Sequence, residues 1–155
     1  MRKALKRASA FARQVDVRFD AAFAVGKIMD PLTDDGIKFV GRLTNNRVLS
    51  KLVEPYIRRR AGRPPTQGYE YVVELGLHQP KSWWHAQRLI LVVVDKPNPK
   101  TGQLELFPFS FILVTNWLED EMSATDILFH YRRRGIFENR IGELSQAVCV
   151  HLSFL

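Results

Sequence analysis

Apolar and polar residues alternate strictly along Val15-Asp-Val-Arg-Phe-Asp20, with Val15, Val17 and Phe19 on one face and Asp16, Arg18 and Asp20 on the other. A period of two marks a half-buried strand, so the spacing predicts a strand with Asp20 at its end. Ahead of it, Leu5, Ala8, Phe11 and Ala12 recur at helical spacing and predict an amphipathic first helix. Behind it, an apolar helix is expected near residues 22–32, stopped around Pro31 and the Asp34-Asp35-Gly36 turn. Ile37-Lys-Phe-Val-Gly-Arg-Leu43 reads as a second strand. Asn45 or Asn46 then caps a helix running from Arg47 towards Arg60, which Pro55 either bends or interrupts.

The pattern changes at RRRAGRPPTQG, residues 58–68, which is basic, rich in Pro and Gly, and reads as loop. Three strand candidates follow at Tyr69–Leu77, Arg88–Asp95 and Leu106–Thr115, the last two joined by the turn Pro97-Asn-Pro-Lys-Thr-Gly102. Leu89-Ile-Leu-Val-Val-Val94 is wholly apolar, as expected of a strand covered on both faces. Ser123-Ala-Thr-Asp126 has capping-box form and predicts a helix from about Ala124. Gly135 ends or interrupts that helix, and helical character resumes through about Val148. The order of elements predicts an α/β domain with a β-rich insertion.

Composition adds a charge argument. The 155 residues carry 23 Lys and Arg against 16 Asp and Glu, a net charge of +7. A field of that sign favours polyanions, of which nucleic acid is the commonest. The single cysteine, Cys149, excludes an internal disulfide and a cysteine-rich zinc site, and it sits in an apolar run that suits packing. His78, His85, His130 and His151 show no paired metal spacing. No apolar stretch approaches the roughly 20 residues that a membrane span requires. The acid-free first fifteen residues lack the apolar centre of a secretory signal, so a cytoplasmic location is expected.

The densest positive stretch is YRRRGIFENRIGELS, residues 131–145, which holds Glu138 between Arg132-Arg133-Arg134 and Arg140. On a helix advancing ~100° per residue, Tyr131, Arg134, Glu138 and Ser145 share one narrow stripe. Phe137, Ile141, Leu144 and Val148 form the core-facing side, so the stripe runs along the edge of the core. An exposed Arg134–Glu138 ion pair is the plainer use of the same spacing.

The stretch resembles the C-terminal signature of bacterial insertion-sequence transposases of the DDE class: Tyr131, Arg134 and Glu138 match its tyrosine, arginine and glutamate in order and spacing. RG-x-x-ENRI-x-EL is similar to the subgroup called DDE group 1. Val17-Arg-Phe-Asp-Ala-Ala-Phe23 resembles the family's strand-end motif, and Ile112-Leu-Val-Thr-Asn116 its strand leading to the glutamate helix. Ser145 stands where the signature has lysine, Gly142 where the subgroup often has another, and Ala21-Ala22 replace Ser-Gly.

The resemblance implies an RNase H-like core, here without its first strand and first catalytic aspartate, so a truncated transposase inactive alone is expected. It implies partial core over 1–57, a β-rich insertion over 58–105, and a return to the core over 106–155. Asp20 and Glu138 would be catalytic and would ligate Mg²⁺ or Mn²⁺, although loss of the first carboxylate weakens such binding. Magnesium takes oxygen ligands, which agrees with carboxylates rather than His or Cys. Tyr131, Arg134 and Arg140 would contact phosphates of double-stranded transposon-end DNA, a complex that admits a homodimer in a bacterial nucleoid. Arg58, Arg59, Arg60 and Arg63 form a flexible basic loop suited to phosphate contacts. Trp83 and Trp84 are candidates for stacking on an unpaired base, beside packing in the β segment. The alternatives are a basic non-catalytic DNA-binding module, or another RNase H-like nuclease with its own acid before Asp20. Asp16 lies about 13 Å from Asp20 at ~3.3 Å per residue, too far to share an ion with it.

Overall fold

In the computed structural model, which describes residues 15–58, 68–97, 100–102 and 108–133, the alternating segment forms strand β1, Asp16–Phe19. Asp20 directly after it has extended backbone, and its side chain accepts the Ala21 N–H at 2.7 Å. That bond turns the chain into a short 3-10 segment, Ala21–Phe23. Helix α1, Gly26–Asp34, therefore starts later than the apolar pattern predicts. It also passes through Pro31, whose missing N–H forfeits a single bond in the ladder. Its end is a Schellman turn: Gly36 takes φ +67°, Ile37 N donates to Leu32 O at 2.8 Å, and Gly36 N to Thr33 O at 3.1 Å.

Strand β2 spans Lys38–Arg42. Asn46 then caps α2, Arg47–Ile57, by accepting from the Val48 and Leu49 N–H groups at 2.9 and 3.0 Å. The helix contains Pro55 rather than stopping at it. Strands β3 (Tyr69–His78), β4 (Gln87–Asp95) and β5 (Phe109–Thr115) follow, and Ser123 caps α3, Ala124–Arg132. The predicted first helix, residues 59–67 and the segment from Arg134 onward lie outside the described residues.

The five strands make one mixed sheet in the order β1-β2-β5-β4-β3. Only β1 and β2 are parallel; β2–β5, β5–β4 and β4–β3 are antiparallel. Segments on both sides of the basic loop thus contribute to a single sheet. Helices α1 and α2 cover one face, with Met29, Leu32, Leu49 and Val53 packed over Phe19, Phe39, Leu89, Leu91 and Val93. Helix α3 covers the other, laying Ile127 and Leu128 on Val40, Ile90, Val92 and Leu113. The apolar run of β4 is wholly inaccessible from Leu89 to Val93, as a strand sandwiched between helices must be.

Two acidic side chains hold segments of the fold together. Asp30 is 2% exposed inside α1 and accepts the backbone N–H groups of Trp84 and His85 at 3.0 and 3.2 Å, pinning the loop between β3 and β4. Glu121 pairs with Lys38 and accepts the Leu118 N–H at 2.8 Å.

Gly41 sets the end of β1. A Cβ there would lie 2.1 Å from the Phe19 ring, which crosses β2 and stacks on Phe39 at 5.5 Å. Gly41→Ala is expected to destabilise the fold by about 1–3 kcal/mol through overpacking and to move Asp20 with Phe19. A denaturation midpoint equal to that of the unsubstituted chain would show that the ring has room to shift.

Candidate functional site

Parallel pairing brings the ends of β1 and β2 together. Phe19 opposes Gly41 in the register, so Asp20 and Arg42 are the next residues of the two strands. Asp16 and Arg18 point to the α3 side, where Asp16 Oδ2 meets His130 Nε2 at 2.7 Å and Arg18 Nη1 donates to His130 O at 3.3 Å. Alternation puts Asp20 on that same side. Asp16 is thus committed to holding α3.

An open cleft of about 250 Å³ lies at this end of the sheet, walled by Asp20, Ala21, Arg42, Thr44, Asn45 and Phe111 among others. A second, of about 530 Å³, adjoins it through shared walls at Ala21, Leu43 and Thr44 and reaches His78 and Trp83. Arg42 stacks over two rings of β5, with its guanidinium carbon 5.1 Å from the centre of Phe111 and 5.6 Å from that of Phe109. Phe111 also packs against Tyr131 in the last turn of α3, at 6.5 Å between ring centres.

The direction of α3 follows from its anchors. Arg88, 5% exposed in β4, holds Glu74 through two nitrogens and donates to the carbonyls of Trp117, Leu118 and Met122 at 3.3, 3.2 and 2.7 Å. Those carbonyls fix the turn that leads to Ser123. At the other end, Arg132 forks onto Glu70 of β3 at 2.8 and 2.6 Å. That hydrogen-bonded arginine holds the Glu70 carboxyl below its ordinary range, against a smaller opposing effect of burial. Between these anchors α3 runs from the far end of β5 towards the end of the sheet where β1 finishes in Asp20.

Of the residues singled out in the sequence, Asp20 and Tyr131 come to this same edge, linked through Phe111 and Arg42. Arg58 is exposed at the end of α2 and pairs with Glu54. Trp83 packs in the core at 9% exposed, edge-on to His78, whereas Trp84 is 75% exposed. A stacking surface is thus open on Trp84. Arg59, Arg60, Arg63, Arg134, Glu138 and Arg140 lie outside the described residues. Arg42 carried no sequence signal by itself; strand parity within Lys38–Arg42 would have found it only with the parallel β1–β2 pairing in hand.

Asp20 puts a carboxylate at the rim of the cleft, the donor type that a hard divalent cation takes. Among the described residues no group of three His, Cys, Asp or Glu side chains gathers to hold a metal. Also among them, no helix is long and apolar enough to cross a membrane. The chain matches the family described as transposase DDE domain, group 1, over residues 3–151. No curated protein matches it.

Proposed function

Because the chain belongs to the transposase DDE domain group 1 family, we propose that it serves metal-dependent cleavage and transfer of DNA strands, at the sheet edge where β1 ends. The observation that carries the reading is convergence: Asp20 closes β1 at a cleft, and α3 brings Tyr131 to the same edge just ahead of Glu138 in sequence. The core is of RNase H-like type, with β1 and β2 as its parallel strands. Asp20 and Glu138 are metal ligands, and Tyr131, Arg134 and Arg140 lie along the DNA backbone. Arg58, Arg59, Arg60 and Arg63 add phosphate contacts, and Trp84 is the tryptophan with a face open to a base. When bound, Mg²⁺ or Mn²⁺ stabilises charge on the attacking and leaving oxygens of an in-line displacement at phosphorus.

Two acids leave a two-metal site partly unbuilt, so these 155 residues alone are expected to bind DNA without cutting it. Affinity for a duplex, measured by fluorescence anisotropy, should fall about tenfold or more between 50 and 200 mM salt, as phosphate contacts require. A flat salt response would remove the DNA reading. Mg²⁺-dependent nicking abolished by Glu138→Gln would show that the two acids suffice.

A further inference from the structure

Among the described residues, three arginines beside the sheet are held by acceptors within the fold. Arg88 is held by Glu74 and three carbonyls, Arg132 by Glu70, and Arg18 by Asp16 and the His130 carbonyl. Arg42 differs. Among the described residues its partners are the faces of Phe109 and Phe111, which orient the guanidinium without neutralising it. It stands in the cleft next to Asp20 along the β1–β2 ladder, half-buried, at the end of a strand fixed on both sides.

From this we infer that Arg42 is a phosphate-binding residue of the cleft, and that its ligand is a phosphodiester of the DNA backbone lying beside Asp20. The inference rests on the DNA-processing reading above. The chemistry is specific to arginine. A planar guanidinium can lie flat on aromatic rings and still present its edge N–H groups as a rigid fork to two phosphate oxygens. Stacking fixes the fork before the ligand arrives, which lowers the ordering cost of binding. A carboxylate partner would have to be displaced first; rings need not be. Placed there, the cation would hold a phosphate at the rim that Asp20 occupies, and so bring the backbone to the carboxylate that repels it.

The test compares duplex binding across a salt series for the unsubstituted chain, Arg42→Gln, Arg42→Lys and Lys100→Gln, the last in the turn between β4 and β5. Arg42→Gln should weaken binding about tenfold and reduce the slope of log K against log salt by about one, as loss of one phosphate contact requires. Arg42→Lys should keep most of the slope and lose part of the affinity, and Lys100→Gln should stay within about twofold. Unchanged affinity and slope in Arg42→Gln, with salt-dependent binding intact in the unsubstituted chain, would overturn the Arg42 assignment alone. Absence of salt-dependent binding in the unsubstituted chain would instead overturn the DNA reading beneath it. A second readout is independent of how the variants fold: the Arg42 Nε–Hε resonance of the ¹⁵N-labelled unsubstituted chain should shift when a short duplex is added. A resonance unmoved at saturating duplex would reject the contact.

Discussion

Arg88→Met should lower the stability of the fold by about 3–4 kcal/mol, towards the lower end of the cost of breaking a buried ion pair, because Arg88 is buried and Glu74 half-buried. Methionine replaces much of the volume and none of the five donor contacts. The Glu74 carboxylate would lose its guanidinium, and the carbonyls of Trp117, Leu118 and Met122 would lose theirs. Those three carbonyls lie in the turn before Ser123, so the loss should extend to α3 and loosen its course towards the Asp20 edge. A folding free energy of about 5–15 kcal/mol is typical of a domain, so the substitution should consume roughly a fifth or more of it. Urea denaturation measures the loss directly. Adding Glu74→Met should recover part of it by removing the stranded carboxylate, whereas a loss below about 1 kcal/mol in the single variant would mean that water replaces the guanidinium.

Asp30→Ala should be the second costly change, at about 2–3 kcal/mol, because it strands two partly buried backbone donors that now bond a buried carboxylate. The same bonds hold Trp84 and His85, and a Cβ on Gly26 would lie only 2.9 Å from Asp30 Oδ2, so there is little slack around the carboxylate. Asp30→Asn preserves the shape but turns an amide NH₂ towards one of the two donors, so it should cost roughly half as much. Thermal melts of the two variants give the comparison. Equal stability of Asp30→Asn and the unsubstituted chain would show that the charge contributes nothing at this site.

Local pattern made β1 legible because one face of it meets the core and the other does not, and the capping residues Asn46 and Ser123 mark their helices chemically. Continuous burial made β4 legible, since its five residues from Leu89 to Val93 have no solvent side. What the sequence withheld were relations between distant segments. Nothing local marks Asp30 as structural, because the donors its carboxylate accepts from lie in another loop, 54 residues on for Trp84. Arg88 reads as the polar start of a strand, and nothing local says that its guanidinium reaches a turn beyond β5. Pairing of β2 with β5 rather than with β3 is likewise non-local, and that pairing puts Phe111 under Arg42. Asp20 was legible because it is a strand-end acid within a motif. Its neighbours across the ladder were legible only once the register was known.

Asp20 and Glu138 are proposed to serve one divalent-cation site at the end of β1. Paramagnetic broadening by Mn²⁺, read from the amide spectrum of the chain bound to a short duplex, tests it without requiring catalysis. Broadening should centre on Ala21, the amide already bonded to the Asp20 carboxylate, together with residues around Glu138. Asp20→Asn and Glu138→Gln should each reduce both sets of effects while leaving the rest of the spectrum in place. Broadening absent from Ala21 at millimolar Mn²⁺, or undiminished when both acids are replaced, would contradict it.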